Sequence, residues 1–211
     1  MSFWKRLFAT DAAATARGEY QQLLAQARKA TLPTDRARLL NVAGDLALST
    51  GAEDDALLAF SDALDIFLRD RDYHAARAVA RKLLRFRANT VRVRSTLAWL
   101  AIAQDLPADA RIALDLYVTS LKAQGERDWA VRHLSMMSRA TRDTDLREAI
   151  AEHLESLDAR QPAAELRARL SAEADGSMEP PTDQAVRARL EEALERLISP
   201  AGGTPADGMT R

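Results

Sequence analysis

Apolar residues recur along this chain at the three- and four-residue spacing of an amphipathic helix. Near the start, Tyr20, Leu23, Leu24 and Ala27 follow this spacing. They predict a helix that ends near Ala30, after a short basic and aromatic lead over residues 1–8. Further helices are expected at residues 35–50, 53–69, 72–88, 90–104, 107–124, 127–141, 144–157 and 161–174.

The residues between these segments are typical of helix ends. Gly51 and Gly125 follow predicted helices, where a residue with positive φ is often required. Pro107 and Pro162 lie near first-turn positions, where a missing N–H does little harm. The starts of successive helices are about 16–20 residues apart, so a pair of helices repeats at the period of helical-hairpin solenoids.

One side chain and one pair of side chains are expected to cap helices. Thr34, which follows the helix-breaking Pro33, is expected to cap the second helix through its hydroxyl group. Asp145 and Glu148 have the spacing of a capping box.

The composition changes after Ala174. The stretch DGSMEPPT, residues 175–182, predicts a linker, and Val186, Leu190, Leu194 and Leu197 predict one apolar face of a last helix. The expected organisation is an N-terminal segment and capping helix at 1–32, a helical-repeat domain at 33–174, the linker at 175–182, a C-terminal helix at 183–199 and a disordered tail at 200–211.

The stretch from Ala37 to Leu68 resembles a tetratricopeptide repeat of the bacterial type. The matching residues are Leu40, Ala43, Gly44 and Ala47 on the first helix, Gly51 in the turn, and Ala56, Phe60 and Ala63 on the second helix. The resemblance implies an all-α, right-handed solenoid of antiparallel helix pairs. It also implies a concave groove of the kind that binds peptides or protein segments. Two looser matches, at 60–83 and 114–137, leave the pairing of the helices open.

Composition agrees with an all-helical chain. Apolar residues make up 47% of the 211 residues and aromatic residues only 5%, a profile that suits packed helices better than sheets. The net charge of −1 favours no polyanionic partner. We expect a cytoplasmic protein, because Asp11 interrupts any apolar signal core and no apolar run approaches the roughly 20 residues of a membrane span. The segment from Phe3 to Phe8 is amphipathic, but short for a membrane anchor.

The sequence offers little catalytic chemistry. There is no cysteine and no glycine-rich phosphate loop, and the three histidines, His74, His133 and His153, form no metal-ligand motif with neighbours at i+3 or i+4. His133 and His153 lie on separate helices and are interpreted as surface or groove residues. We therefore expect no enzyme, no catalytic residue, no cofactor and no metal.

The strongest polar feature is a basic stripe without local acidic partners. No acidic residue occurs between Ala75 and Arg94. The stripe consists of Arg77, Arg81, Lys82, Arg85, Arg87, Arg92 and Arg94. Like charges at i,i+4 repel by a few tenths of a kcal/mol, so such a stripe is either paired across helices or available to a ligand. Pairing with the preceding acidic helix, binding of acidic protein segments and binding of nucleic acid are the three interpretations, in descending order of preference.

A second candidate lies on the first helix of the best repeat. Members of the family that grip a C-terminal carboxylate carry a lysine and an asparagine one turn apart there, and this chain has Asn41 and Asp45. Asp45 would repel a carboxylate, which argues against that clamp at this repeat. Asn41 and Asp45 remain candidates for binding a backbone or a basic group.

These observations favour a non-enzymatic adaptor or scaffold that binds a protein or peptide segment, with an acidic segment as the leading candidate. The alternatives are an assembly subunit that forms a homo-oligomer or docks into a larger complex, and a nucleic-acid-binding protein. The C-terminal helix is left with three alternatives: it caps the solenoid, fills the groove or binds in trans.

Overall fold

A computed structural model describes the backbone of residues 3–86 and 91–198 and the side chains of residues 14–85 and 91–196. Over these ranges the chain is all-α and has no strand, as predicted. The helices are α1 (Phe3–Lys29), α2 (Pro33–Ser49), α3 (Glu53–Arg69), α4 (Tyr73–Phe86), α5 (Val91–Ala103), α6 (Pro107–Gln124), α7 (Arg127–Arg139), α8 (Thr144–Ser156), α9 (Arg160–Ala174) and α10 (Asp183–Ile198). Their ends agree with the predicted ends to within about two residues, except that α1 begins inside the predicted non-helical lead.

Five helices end in the same turn. In each, a backbone N–H just beyond the helix end bonds back to the carbonyl five residues earlier, as from Ala52 to Ala47 and from Glu126 to Leu121. The residue before that N–H is left-handed, with φ between 52° and 76°. These left-handed residues are Gly51, Arg71, Asp105, Gly125 and Asp158. The two glycine turns were predicted; the other three lack the glycine that would have marked them.

Both predicted side-chain caps are wrong. The N-cap position of α2 is Leu32, which makes no side-chain capping bond, and the Thr34 hydroxyl instead donates to an Asp70 carboxylate oxygen at 2.5 Å. At α8 the cap is Asp143, whose carboxylate accepts the Leu146 N–H at 2.7 Å. The helix therefore begins one residue before Asp145, which occupies the first turn rather than the cap position.

The chain divides into two compact units, residues 1–88 and 89–211, and the predicted repeat domain over 33–174 spans parts of both. In the first unit α2 packs on α1 and α3, and α3 packs on α4. Small residues let α2 and α3 approach closely: a Cβ atom added to Gly44 would lie only 2.6 Å from the Phe60 ring. Gly44 therefore lies where the two helices cross closely.

The second unit is built around α5, which is buried on nearly every side and carries the fully buried Trp99 and Leu100. Helix α5 packs on α6 and α10, α8 packs on α7 and α9, and α6 contacts α8. Residues 175–182 contain no helix, and the predicted disordered tail at 200–211 lies outside the described residues. None of the described helices is long and apolar enough to cross a lipid bilayer.

Candidate interaction sites

The predicted basic stripe divides between the two units. Arg77, Arg81, Lys82 and Arg85 lie on α4 in the first unit, opposite its buried apolar face. This is the arrangement that i,i+4 spacing predicts for a helix with one apolar face. These four cations therefore lie on the side of α4 that faces away from its core.

The remaining members of the stripe do not belong to this α4 surface. Arg92 and Arg94 are half-buried residues of α5 in the second unit, and both already interact with neighbouring groups. Arg87 lies outside the described residues. The basic residues that can be assigned to one surface are therefore those of α4.

Lys82 brings the two sets of predicted site residues together. Its ammonium nitrogen donates to Asn41 Oδ1 at 2.9 Å and to the two carboxylate oxygens of Asp45 at 2.6 and 2.7 Å. The same nitrogen lies 5.3 Å from the centre of the Phe60 ring, within cation–π range. Lys82 thus joins α4 to α2 above the side chain that fills the α2–α3 crossing. We call Asn41, Asp45, Phe60 and Lys82 the Lys82 site.

The Lys82 site shows which acidic residue pairs with one cation of the basic stripe. The stripe was expected to pair first with the preceding helix, α3, yet Lys82 pairs with α2. Arg77 and Arg81 also interact with neighbouring groups. The residues that pair with Lys82 are about 40 positions away in the sequence. The spacing of charges along one helix cannot predict such a contact. The contact joins a cation from the stripe to the two residues of the candidate clamp position.

A second polar cluster surrounds His133 in the second unit. The Tyr117 hydroxyl lies 3.0 Å from His133 Nδ1, and the Trp129 ring stacks on the imidazole with centroids 3.9 Å apart. Trp99 meets the imidazole edge-on, and the Ser95 hydroxyl lies 3.5 Å from the same Nδ1. Histidine 133 is therefore held between helices, rather than on the surface as one interpretation of the sequence had it.

Burial decides the protonation of this cluster. Desolvation, helped by the neighbouring Arg132 charge, lowers the pKa of His133 from 6.5 to about 4. Desolvation also raises the pKa of the Tyr117 hydroxyl well above its usual value. Both side chains are thus neutral near pH 7. Since Ser95 and Tyr117 are fully buried, their hydroxyl groups contribute hydrogen bonds to the core and are not presented to a substrate.

Acidification is expected to destabilise the second unit through His133. Its pKa is about 4 in the folded chain and 6.5 when unfolded, so between these values the unfolded state binds more protons. The stability contribution of the neutral imidazole is present above pH 6.5 and is lost progressively as the pH falls to about 4. The loss should amount to roughly 3 kcal/mol. Urea unfolding measured at a series of pH values tests this.

The control for that series separates His133 from other titrating groups. His133→Phe keeps an aromatic ring against Trp129 but cannot titrate, so its stability should fall less steeply with acidification. His153→Gln, at a partly exposed histidine paired with Asp115, should keep the steep fall of the parent chain. Equal slopes for His133→Phe and the parent chain would show that His133 does not control the acid sensitivity.

The C-terminal helix α10 docks within its own unit. It packs against α5 and α7 and buries Leu190, Ala193 and Leu194. Arg142 fastens the start of the helix, because its guanidinium pairs with Asp183 at 2.6 Å and bonds the Pro181 carbonyl at 2.5 Å. In the structure, the helix is thus docked on its own chain rather than extended away from it.

No group of three or more potential ligands that could hold a metal ion occurs in the part of the chain that the structure describes. Comparison of the chain with protein-family models, with curated proteins and with solved structures gave no match. Over the described residues, the chain is an all-α protein in which most helices adjacent in sequence pack on each other within each unit, consistent with a helical repeat. The tetratricopeptide-repeat resemblance rests on the residues of the α2–α3 hairpin.

Proposed function

We propose that the chain is a non-enzymatic adaptor of the tetratricopeptide-repeat-like kind, whose antiparallel helix pairs stack with a right-handed twist. It receives an acidic segment of a partner protein on the face formed by α2 and α4. The observation that carries this proposal is the Lys82 site. There, the Lys82 ammonium group already binds a carboxylate, that of Asp45, and donates a further hydrogen bond to the Asn41 amide oxygen.

The internal carboxylate can be exchanged for one from a partner. The Lys82 side chain is 28% exposed and that of Asp45 is 51% exposed, so solvent and an incoming group reach both. Exposed ion pairs contribute only about 0–1 kcal/mol, so an incoming carboxylate loses little free energy by displacing Asp45 from Lys82. Asp45 then acts as a competitor that weakens binding, which refines the expectation that it excludes a carboxylate altogether.

The surroundings of Lys82 add affinity for an acidic segment. Arg81 and Arg85, on the exposed side of α4, extend the positive surface along the helix axis. Val42, one residue after Asn41, is 50% exposed and offers an apolar contact beside the polar one. Because α2 and α4 are held by a packed core, the receptor loses little conformational entropy on binding.

Two substitutions are expected to change the affinity for an acidic peptide in opposite directions. Asp45→Asn frees Lys82 and should tighten binding several-fold, whereas Lys82→Met removes the ammonium group and should weaken binding by about tenfold. Fluorescence anisotropy with a labelled glutamate-rich peptide measures both. The affinity of the parent chain should also fall as salt is raised, because the pairs are exposed.

A second acid–base pair on α2 supplies the matched control. Asp35 and Arg38 are also exposed, with 3.8 Å between their charged groups. Asp35→Asn and Arg38→Met make the same charge changes about one to two turns before Asn41 on the same helix, outside the Lys82 site. These variants should bind like the parent chain. If both acid-to-amide variants tighten binding equally, net charge explains the effect and the Lys82 site does not.

A labelled single-stranded RNA in the same titration would reveal a nucleic-acid ligand by tighter binding than the peptide.

Self-association through the C-terminal helix is supported less well. The apolar residues that would mediate it, Leu190, Ala193 and Leu194, are already buried within their own unit. An eight-residue tether keeps the helix at a high effective concentration near that surface, which favours docking in cis over docking on a second copy.

A further inference from the structure

The second unit contains a cleft that none of the features above uses. It measures about 320 Å³ and lies among α7, α8, α9, the linker at 175–182 and the start of α10. The charged residues along its walls are Arg139, Arg147, Arg169, Glu173, Glu179 and Arg189. Arginine dominates here, although acidic residues outnumber basic ones about two to one between Asp143 and Ile198. The positive charge of the cleft therefore results from the fold and not from local composition.

Only part of this positive charge is compensated. Arg147 and Glu173 form a two-point ion pair with N···O distances of 2.5 and 2.8 Å, and so neutralise each other. Arg189 donates to the Arg139 carbonyl at 3.2 Å, which satisfies a backbone group but removes no charge. Within the described residues, the side chains of Arg139 and Arg169 make neither a hydrogen bond nor an ion pair, although Arg169 acts on Glu173 electrostatically.

A buried donor that lacks an acceptor in the described part of the chain also lies in the wall of the cleft. Arg147 is only 4% exposed, and its Nε–H is buried without an acceptor among the described residues. Both carboxylate oxygens of Glu173 bond the other two nitrogens of the same guanidinium. Buried polar groups are nearly always satisfied, and an unpaired donor on an arginine carries a substantial free-energy penalty. The wall of the cleft thus combines uncompensated positive charge with an unsatisfied donor.

We propose that this cleft binds a phosphate-class oxyanion, either free or carried by a phosphorylated side chain of a partner. Arg139, Arg169 and Arg189 hold it. Planar guanidinium groups donate two parallel hydrogen bonds to phosphate oxygens, and these charge-assisted bonds are roughly twice as strong as neutral ones. A tetrahedral dianion presents enough acceptors for three arginines at once. A single carboxylate has two oxygens and one charge, and so matches the cleft less well.

Binding of the anion would fasten the C-terminal helix. Arg189 belongs to α10, and Glu179 and Pro181 of the linker also border the cleft, while Arg139 and Arg169 belong to α7 and α9. One anion held by all three arginines therefore joins α10 to α7 and α9. Because such a ligand binds only the docked arrangement, it shifts the equilibrium toward docking. The carboxylate of Glu179 opposes the anion and moderates its affinity.

Titration calorimetry on the full chain tests this proposal, with inorganic phosphate and a phosphoserine peptide as separate probes at constant ionic strength. We expect saturable binding of at least one probe, and slower hydrogen exchange in α10 when it is bound. The double substitution Arg139→Gln and Arg169→Gln should weaken binding by about tenfold or more. Both residues are exposed, so the fold should survive, and circular dichroism verifies this. Arg160→Gln, on an exposed arginine of α9 outside the cleft, should bind like the parent chain.

The outcomes separate the sources of the anion and the two proposed sites. Binding of inorganic phosphate identifies a free anion as sufficient, whereas binding of the phosphopeptide alone identifies a phosphorylated partner. Lys82→Met should leave phosphate binding unchanged, because Lys82 belongs to the other unit. The proposal is overturned if neither probe binds more tightly than chloride, or if the Arg139→Gln and Arg169→Gln variant binds as the parent chain does.

Discussion

Replacing Glu173 with glutamine is expected to destabilise the chain by about 3 kcal/mol. The Arg147 side chain is 5% exposed and its partner Glu173 is 14% exposed, so the guanidinium has no adequate access to water. Its hydrogen bonds lower the pKa of Glu173, which shows that the pair is held in its charged form. Glutamine retains the shape of the side chain but leaves a buried positive charge without a counter-charge. Urea unfolding near neutral pH measures the effect.

The expected loss lies at the low end of the usual range because Glu173 borders the cleft and is not sealed from solvent. A double substitution tests the cause. Arg147→Met with Glu173→Leu removes both charges, and it should be much closer to the parent chain in stability than Glu173→Gln alone. Glu165→Gln makes the same chemical change at an exposed residue of α9 and should alter stability by at most about 0.5 kcal/mol. If Glu173→Gln is equally mild, the pair is not a determinant of stability.

Local sequence signals predicted the helices well. The i, i+3, i+4 recurrence of apolar residues follows from helix geometry alone, so α2 to α10 could be located without tertiary information. The same holds for Gly51 and Gly125, because glycine is the residue that adopts positive φ most readily. Arg71, Asp105 and Asp158 adopt the same left-handed conformation at some conformational penalty. Aspartate adopts positive φ more often than most residues, but it is a weaker signal of this turn than glycine.

The interaction sites could be predicted only in part, because they depend on contacts between distant residues. Asn41, Asp45 and Lys82 were each candidates for separate reasons, and only the packing of the helices brings them together. The charges around Arg147 were indistinguishable from solvated helix faces in the sequence. Likewise, Thr34 had a suitable position for a cap, but a carboxylate from the end of α3 competes for its hydroxyl group.

The two proposed sites differ in which helices supply their residues. In the first unit, the polar residues of the Lys82 site are on α2 and α4, which are held through α3 and its buried Phe60. In the second unit, the arginines of the proposed anion site come from three helices, one of which is tethered by a linker. We therefore expect that binding at the first proposed site needs little rearrangement, and that binding at the second is coupled to whether α10 is docked. A chain with both sites would bind one partner whether or not α10 is docked, and the other only when α10 is docked.

Gly44→Ala is expected to destabilise the first unit by about 2 kcal/mol, although alanine is the better helix former by about 1 kcal/mol. The new Cβ would lie 2.6–2.9 Å from three atoms of the Phe60 ring, closer than van der Waals contact allows. Phe60 is fully buried, so its ring can move only by disturbing the residues packed around it. Thermal or urea unfolding of the variant measures the loss.

Gly18→Ala provides the matched control, since it is the same substitution within helix α1. Apart from its chain neighbours and the nearby backbone of α1, no described atom lies within 4 Å of the position where its Cβ would be. Only the helix propensity therefore changes, and the variant should be more stable than the parent chain. Phe60→Leu should partly rescue Gly44→Ala, because a smaller side chain makes room for the new methyl group. Since the Phe60 ring also lies beneath the Lys82 ammonium group, Gly44→Ala should weaken acidic-peptide binding as well, while Gly18→Ala should not. If both glycine variants are stabilised alike, the α2–α3 crossing tolerates a Cβ and the close approach is not what requires glycine there.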